Sequence, residues 1–557
     1  MPEPFDLAAH MVDEIVADRP SLATLLGVPG YDHLWDDLSP EGHDRRLDLS
    51  RRQRKVMSVH LKHADPWQRH SARVVVDYLD EVLSAFERSE HLRQLRHTAG
   101  DFDDLRDLFD RMDTKTEPAW ANVITRLETF GQPLTGLRDS LEEGRLSGLA
   151  VARRQVLSVI EQARHLAGPA SKWLGLLKKA ENGAGSTMTE RLSDAITTAQ
   201  AAVVEFVKYL ETVYLSAAPA ADGVGCDRYI AEADRFVGLL IDPAETYEWG
   251  WEEVHRLSAA MKRVAATIDP DRDLSGVIDL LETDPAYAVP SQQAFGEFIQ
   301  HLQNEALLQL EGTHFDVPQQ IRSVSVNLVP PGAALGAYYL SPSEDFTRPG
   351  GIWYSFGERR QIPLWGEVST GYHEGFPGHH LQVGTVMTLA QNLSRFHRLL
   401  IWYAGYGEGW ALYTERLMDE LGYFERPEYL LGMLGAQQLR ACRVVIDIGC
   451  HLGYRIPDHA PIGAGDTWTY EHGVETLHRV ACQPRDVSES ELKRYLGWPG
   501  QAISYKVGER AILELRDERR RKEGARFDLK EFHRSLLGWG EVRLDYLKEL
   551  AGAAGAL

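Results

Sequence analysis

The sequence predicts a mainly α-helical protein with two lobes and one small β-sheet. Apolar residues recur at intervals of three and four through most of the 557 positions, which is the spacing of amphipathic helices. The segment APAADGVG at 218–225 is rich in Gly, Ala and Asp and is typical of a hinge. The segment 322–356 instead mixes Val, Tyr, Ser and Gly in a broken alternation, which indicates strands and turns.

The hinge divides the chain into an N-terminal helical lobe, expected over 1–220, and a second lobe, expected over 226–557. In the first lobe the segments 71–92, 150–168 and 193–218 each carry the helical spacing. We expect the two lobes to fold together as one structural unit.

The second lobe begins with two further helical segments, 243–268 and 291–310. The β segment 322–356 follows them and lies immediately before a His-Glu pair at 373–374. An edge strand in this position can hold an extended peptide by main-chain pairing, although a plain structural hairpin explains the pattern equally well.

Composition excludes several classes of protein. Lys and Arg total 60 against 82 Asp and Glu, a net charge of −22, whereas nucleic acids and anionic membrane surfaces attract basic proteins. The four cysteines form no C-x-x-C pair, which argues against a cysteine zinc site or a redox motif. The N-terminus lacks the basic start and apolar core of a signal peptide, and no apolar run approaches the ~20 residues of a membrane span. We therefore expect a cytoplasmic protein.

The segment HEGFPGHH at 373–380 carries metal-ligand chemistry at an unusual spacing. In the zinc pattern H-E-x-x-H, two histidines one helical turn apart share an ion, and the Glu accepts a proton from the attacking water. On a straight helix His379 would be about 120° off the face of His373, and His380 would lie about 10 Å higher. Neither could then share an ion with His373.

Pro377 removes this objection. It has no N–H to bond the carbonyl of His373, and its ring crowds that carbonyl. Gly375 and Gly378 free the backbone on both sides. We therefore expect a bulge or a broken and restarted helix that brings His379 or His380 beside His373. The spacing alone leaves both histidines open.

A third ligand is expected on a second helix. The segment YGEGWALYTE places Glu408 at the start of a clear helix, and Glu415 lies seven residues later on nearly the same face. Glu408 is the expected ligand, and Glu415 is expected to orient a histidine N–H. Two imidazoles and one carboxylate favour a single Zn²⁺, although Mn²⁺ or Co²⁺ can substitute.

The chain resembles a bacterial family known as domain of unknown function 885. The segments that carry the resemblance are YHEGFPGHHLQ, GEGWALYTE, RVVIDIGCH and GQAISYKVGERAI. That family is similar in fold to carboxypeptidase Taq-type and oligopeptidase-type zinc metallopeptidases, which have a zincin-like helical fold of two lobes around a deep cleft. The resemblance implies that 226–557 is a catalytic lobe.

The resemblance also implies site residues. His373 corresponds to the first ligand, Glu374 to the general base and Glu408 to the third ligand. The Gly-His that ends the family pattern corresponds to Gly378-His379, which favours His379 over His380. A tyrosine from a late segment stabilises the tetrahedral intermediate in such peptidases, and Tyr505 is the candidate.

Four further residues are candidates for substrate contacts. Arg443, Asp447 and His451 recur every four positions as a polar stripe on an otherwise apolar helix. His451 is a candidate oxyanion donor, and Arg443 or Arg510 a candidate for binding a substrate carboxylate. A buried Arg–Asp pair that braces two helices explains the stripe equally well.

The sequence therefore predicts a zinc-dependent hydrolase of amide bonds in short peptides, either a carboxypeptidase or an oligopeptidase. A metallo-amidase acting on a small non-peptide amide is an alternative. A non-catalytic peptide-binding protein on the same scaffold is a second, although it would have little need of Glu374.

Overall fold

The computed structural model describes residues 2–181, 186–329 and 336–552 and is mainly helical, as predicted. The chain forms two compact units. The first contains residues 1–222 together with 394–400, and the second contains residues 223–393 and 401–557. The boundary after Asp222 falls inside the segment 218–225 that the sequence marks as a hinge. Nothing in the sequence predicted that 394–400 would belong to the first unit.

The first unit is built from helices. In chain order they are α1 (Pro4–Asp18), α2 (Pro20–Leu26), α3 (Pro40–Ser58), α4 (Pro66–Glu87), α5 (Asp101–Asp107), α6 (Glu117–Glu128), α7 (Gly131–Leu146), α8 (Arg153–Ala167), α9 (Leu174–Glu181) and α10 (Ser186–Thr212). Side chains of Ser39, Asp65 and Thr116 accept backbone N–H groups at the starts of α3, α4 and α6, which fixes where these helices begin. Buried side chains of the helices from α5 to α10, together with Trp173, form one core that includes Trp120.

The second unit begins with helices and short strands that lead to the candidate site. They are α11 (Cys226–Val237), α12 (Pro243–Ile268), α13 (Leu274–Thr283), β1 (Ala288–Val289), α14 (Gln292–Leu310), β2 (Ser325–Leu328), β3 (Gly336–Leu340), β4 (Gly351–Ser355), β5 (Ile362–Pro363), α15 (Glu367–Glu374) and α16 (His379–Thr388). The helix α17 (Arg395–Leu400) then returns to the first unit.

The rest of the second unit is helical. Its helices are α18 (Ala404–Glu420), α19 (Pro427–Leu452), α20 (Tyr470–Glu475), α21 (Arg485–Gly497), α22 (Ser504–Glu523), α23 (Leu529–Gly538) and α24 (Leu544–Gly552). None of the helices in the described ranges combines the length and the apolar character that a membrane crossing requires.

The β segment predicted at 322–356 is confirmed as a small sheet. Its strand order is β2-β4-β3, with β2 parallel and β3 antiparallel to β4, while β1 and β5 pair separately. Residues 330–335 of the predicted segment lie outside the described residues. Ile352 and Tyr354 of β4 are buried against Phe295 of α14, so the sheet is packed on a helix.

Two helices of the second unit, α18 and α22, approach each other very closely. A side-chain Cβ on Gly508 would lie only 1.9 Å from the carbonyl oxygen of Gly405, so only glycine fits there. This approach places the first turn of α22, which carries Tyr505, beside the start of α18, which carries Glu408.

Candidate metal centre

The helix that carries the His-Glu pair is interrupted around Pro377, as the sequence predicts. α15 ends at Glu374 and α16 begins at His379, and the Phe376–Pro377 peptide bond is cis. A Cβ on Gly378 would lie 2.0 Å from the carbonyl oxygen of His373, so glycine is required for the chain to fold back this tightly. The predicted break is confirmed.

Neighbouring helices hold this break in place. Gln303 of α14 accepts the backbone N–H of Phe376 at 2.6 Å and donates to the carbonyl of Gly371 at 2.8 Å. The indole N–H of Trp410 on α18 donates to the carbonyl of Pro377 at 3.0 Å. Because all these groups are buried, their hydrogen bonds fix the turn between the two histidines.

Three side chains converge at this turn. Nε2 of His373 lies 3.3 Å from Oε2 of Glu408, and Nε2 of His379 lies 3.4 Å from the same oxygen. The nearest ligand atoms of the three residues all lie within 4.8 Å of one another. The side chains are 5%, 15% and 8% exposed for His373, Glu408 and His379. We call these three residues the ligand cluster.

His380 points to other partners, so it is not the second histidine of the cluster. One ring nitrogen, Nε2, lies 2.8 Å from the carbonyl oxygen of Ile321, and the other, Nδ1, lies 3.1 Å from the hydroxyl of Tyr339. Burial lowers the pKa of His380 to about 4. A neutral ring that donates to the carbonyl and accepts from the hydroxyl has no nitrogen left for a metal.

Glu415 lies behind His373, as predicted from the sequence. Its Oε1 is 2.7 Å from Nδ1 of His373, and its Oε2 accepts the hydroxyl of Ser369 at 2.6 Å. Burial alone would raise the pKa of Glu415, but the hydrogen bond from His373 lowers it below the ordinary value. The ionised carboxylate therefore orients the ring so that Nε2 faces Glu408.

The electrostatics of the ligand cluster favour a bound cation. Burial would lower the pKa of His373, but hydrogen bonds to Glu408 and Glu415 raise it to about 10. Burial would likewise raise the pKa of Glu408, yet the two imidazoles lower it. Two carboxylates therefore stay ionised beside one protonated imidazole in a buried site, where the remaining unbalanced negative charge is costly.

The donor set and its spacing fit zinc. Zinc bonds of about 2.0–2.1 Å in a tetrahedral arrangement place neighbouring ligand atoms about 3.3 Å apart. The two measured separations are 3.3 and 3.4 Å. Two imidazoles and one carboxylate are also a common set of protein ligands at a catalytic zinc site, which keeps one position open.

Glu374 follows His373 directly and is half-buried at the end of α15. Its charge also contributes to the raised pKa of His373. Within the described ranges, no hydrogen bond or ion pair joins this carboxylate to another residue. It is therefore available to a substrate or a water molecule.

Tyr505 lies in the first turn of α22, beside two arginines of α19. The guanidinium carbon of Arg443 is 4.7 Å from the centre of its ring, and that of Arg440 is 5.8 Å away. Burial raises the pKa of Tyr505, and the charge of Glu408 raises it further. The phenol is therefore protonated near neutral pH, and the negative charge of Glu408 in the ligand cluster acts on it.

At Asp447 and His451 the polar stripe on α19 contacts other parts of the second unit, which agrees with the bracing alternative that the sequence left open rather than with substrate contact. Asp447 accepts the hydroxyl of Tyr229 at 2.8 Å and the backbone N–H of Gly500 at 2.9 Å. Nε2 of His451 lies 3.1 Å from the carbonyl oxygen of Tyr495, and its side chain has no exposed surface. A fully enclosed imidazole cannot reach a substrate oxyanion. We call Asp447, His451, Tyr229 and Tyr495 the α19 network.

The two predicted arginines differ in their surroundings. Arg443 donates to the hydroxyl of Tyr495 at 2.9 Å and to Glu491 at 2.7 Å, and it also contacts Tyr505. Arg510 pairs instead with Glu514 at 3.0 Å and with Glu245 at 3.1 Å. Because two carboxylates already neutralise Arg510, its predicted role in substrate binding is not supported.

Sequence reasoning missed three residues around the site. Ser369 supports Glu415, and Arg440 contacts Tyr505 from a position three residues before Arg443, a spacing that could have revealed it. Glu541 accepts the backbone N–H of Tyr403 at 2.6 Å and the side-chain amide of Gln382 at 3.1 Å. It thereby joins α16 to the residue before α18. No local pattern marks Glu541, because its partners are distant in sequence.

Comparison with solved structures shows the fold. A protein of Colwellia psychrerythraea named "putative lipoprotein" is 22% identical, with a TM-score of 0.85 over 99% of this chain and 98% of its own. A "putative lipoprotein of unknown function" from Shewanella oneidensis is 16% identical, with a TM-score of 0.74 over 99% of this chain and 100% of its own. None of the curated proteins matches the chain at a significant level.

Comparison with protein families gives one match that spans nearly the whole chain. The family model described as "Bacterial protein of unknown function (DUF885)" matches residues 20–550. This match includes both units and every residue of the ligand cluster. The chain therefore belongs to the DUF885 family of bacterial proteins.

Proposed function

We propose that this protein is a zinc-dependent hydrolase that cleaves amide bonds in short peptides. The observation that carries the proposal is the convergence of His373, His379 and Glu408 beside a free carboxylate, that of Glu374. The order of these groups on α15, α16 and α18 also supports a zincin-like fold of the carboxypeptidase Taq and oligopeptidase type.

In this proposal His373, His379 and Glu408 hold the ion, and Glu415 fixes the orientation of His373. Bound zinc supplies a Lewis acid that polarises the scissile carbonyl and makes water in the site a stronger nucleophile near neutral pH. The hydrogen bonds of Gln303 and Trp410 hold the two histidines at the required spacing. The site is therefore preorganised before substrate arrives.

Glu374 acts as the general base. Its carboxylate takes a proton from the attacking water and then passes it to the leaving amine, so that bond cleavage releases a neutral amine. A carboxylate that protein donors already occupied would be a weaker base, and Glu374 has no such donor within the described residues.

Tyr505 acts as the oxyanion donor. Its protonated phenol donates a hydrogen bond to the carbonyl oxygen as negative charge develops there. Arg440 and Arg443, which contact its ring, place positive charge close to that oxygen and strengthen the effect.

The cytoplasmic location expected from the sequence is also a proposal. It rests on the four cysteines, which are free thiols in the structure. The two solved relatives are named as lipoproteins, a word that applies to those proteins. Fractionation of cells that produce the full chain tests the proposal, and recovery in the membrane fraction would contradict it.

The proposed activity is tested with purified protein loaded with zinc. We expect one zinc per chain by elemental analysis and hydrolysis of a panel of short peptides. Glu374→Gln should keep the metal but lower kcat at least about 100-fold, because general-base catalysis contributes roughly 10²–10⁴-fold. Arg534→Gln is the control, since Arg534 is an exposed residue that pairs only with Glu531 and Asp316 among the described residues.

Each result supports or contradicts a different candidate function. Hydrolysis that survives Glu374→Gln contradicts the mechanism. Zinc binding with hydrolysis of small amides but not of peptides indicates the metallo-amidase. Zinc binding without hydrolysis of either class indicates a binding protein, and the absence of stoichiometric metal removes the metal site altogether.

A further inference from the structure

Two guanidinium groups contact the ring of Tyr505 in a strongly acidic protein, and a third shares a carboxylate with one of them. Arg440 and Arg443 lie three residues apart on one face of α19, and their guanidinium carbons are 5.8 and 4.7 Å from the ring centre of Tyr505. Arg494 of α21 contributes to the pKa of Tyr505, so its charge also lies nearby. Such a concentration of positive charge beside a proposed reaction site requires an explanation.

One carboxylate serves two of these arginines. Oε2 of Glu491 lies 2.7 Å from Arg443 and 3.1 Å from Arg494. Arg494 donates in addition to the side-chain oxygen of Gln501. The positive charge of the two guanidiniums is therefore only partly balanced by Glu491.

Arg440 has no carboxylate partner within the described residues. Its Nη1 donates to the carbonyl of Ala436 on its own helix at 3.3 Å, and its buried Nε has no hydrogen-bond partner. Arg443 is only 7% exposed, and its Nη1 is also buried without a partner. Buried donors without acceptors are rare in folded proteins, so these two N–H groups are suited to an acceptor that a ligand supplies.

The position of these donors connects them to the reaction site. Both arginines contact the ring of Tyr505, and the close approach of Gly508 to Gly405 and Gly409 places the first turn of α22 beside the start of α18, which carries Glu408. An anion bound by these arginines therefore belongs to a part of the substrate that lies near the scissile amide.

We infer that Arg440, together with the spare Nη1–H of Arg443, binds a substrate carboxylate close to the scissile amide. The inference rests on the proposed hydrolase function and specifies its substrate class. A planar guanidinium matches a planar carboxylate with two parallel hydrogen bonds, which gives both affinity and orientation. The C-terminal carboxylate of a peptide and the side-chain carboxylate of a terminal Asp are two sources of this group.

Kinetics with matched substrates test the inference. The zinc-loaded protein is given an acetylated tetrapeptide acid, the same peptide as its C-terminal amide, and an amide whose last residue is Asp. We expect kcat/KM to be at least about 100-fold higher for a substrate with the carboxylate than for the plain amide, and the acid and Asp substrates identify which source is used. Arg440→Gln should reduce this ratio to near one, Arg440→Lys should restore part of it, and Arg534→Gln should leave it unchanged.

A binding measurement keeps the inference separate from the hydrolase proposal. Ligand-observed NMR compares N-acetylglycine with N-acetylglycinamide on zinc-loaded wild type and on Arg440→Gln. We expect the acid to bind to wild type at least tenfold more tightly than the amide, and this preference to disappear in the variant. Circular dichroism of the variant shows whether it folds.

The two experiments distinguish failure of the carboxylate site from failure of the hydrolase proposal. Equal hydrolysis of acid and amide substrates overturns the carboxylate site and leaves the hydrolase proposal standing. If no substrate is hydrolysed, the hydrolase proposal fails and the binding preference decides the carboxylate site alone. A preference for the acid that persists in folded Arg440→Gln places the carboxylate elsewhere and overturns the inference.

Discussion

The second unit contains two buried groups of histidine and carboxylate whose electrostatics are opposite. In the ligand cluster, hydrogen bonds to Glu408 and Glu415 overcome burial and raise the pKa of His373 to about 10. In the α19 network, burial lowers the pKa of His451 to about 4 and raises that of Asp447 to about 7. An imidazole beside carboxylates is thus charged in one place, whereas an imidazole and a carboxyl group are close to neutral in the other.

The two groups differ in the partners that the rest of the protein provides for their polar atoms. In the α19 network, Oδ2 of Asp447 and Nε2 of His451 have hydrogen-bond partners within the protein, whereas Oδ1 of Asp447 and Nδ1 of His451 are buried without one. The ligand cluster brings imidazole nitrogens and a carboxylate oxygen together at the spacing of metal ligands. Changes to the first should therefore alter stability, and changes to the second should alter metal binding and catalysis.

The adjacent residues His379 and His380 give the largest predicted contrast. His379→Ala should weaken zinc binding well beyond 100-fold, because even the loss of a residue that only orients a ligand costs about 10–100-fold. His380→Ala should keep the metal but lose roughly 3 kcal/mol of stability, since Tyr339 and Ile321 lose their partner. Zinc titration and denaturant unfolding measure the two effects. Metal loss in His380→Ala with retention in His379→Ala would reverse the assignment.

Asp447→Ala tests the other side of the comparison. Removal of this carboxylate leaves the hydroxyl of Tyr229 and the N–H of Gly500 without an acceptor, and each unsatisfied buried donor costs about 1–3 kcal/mol. We expect a loss of roughly 3 kcal/mol in unfolding free energy and an unchanged zinc stoichiometry. A stable variant that has lost zinc would show that the two clusters are coupled.

Glu415→Gln should have an intermediate effect. The neutral amide still accepts a hydrogen bond from His373, but it no longer balances positive charge on the ring. We expect zinc affinity and kcat/KM to fall about 10–100-fold, as for other residues that orient metal ligands. Competition with a chelator measures the affinity. An affinity equal to that of wild type would mean that Glu415 only fills space.

Ser369→Ala should have the smallest effect. It removes one hydrogen bond to Glu415, and a single hydrogen bond contributes about 1 kcal/mol net, or about fivefold in an equilibrium constant. The same chelator competition should therefore show a shift smaller than that of Glu415→Gln. A larger shift would assign Ser369, rather than Glu415, the main part in orienting His373.

Local sequence predicted the parts of this molecule that depend on neighbours in the chain. Apolar spacing predicted the helices, and Pro377 predicted the break between α15 and α16. The choice between His379 and His380 could not be derived from spacing, because Tyr339 and Ile321 determine the direction of His380 from other elements. Spacing left the role of the stripe on α19 open for the same reason, since Tyr229 lies 218 positions from Asp447.

The short helix α17 has a consequence for any attempt to divide this protein. Because 394–400 belongs to the first unit, the chain passes from one unit to the other three times rather than once. Phe396 and His397 are fully buried, with Tyr78 and His70 as ring neighbours at 5.4 Å each. A fragment that starts at residue 223 would expose the buried side chains of 394–400, such as Phe396, to water and tend to aggregate. A fragment that ends at residue 222 would lack the same segment, so a cut at the hinge leaves both fragments with unpaired buried surface.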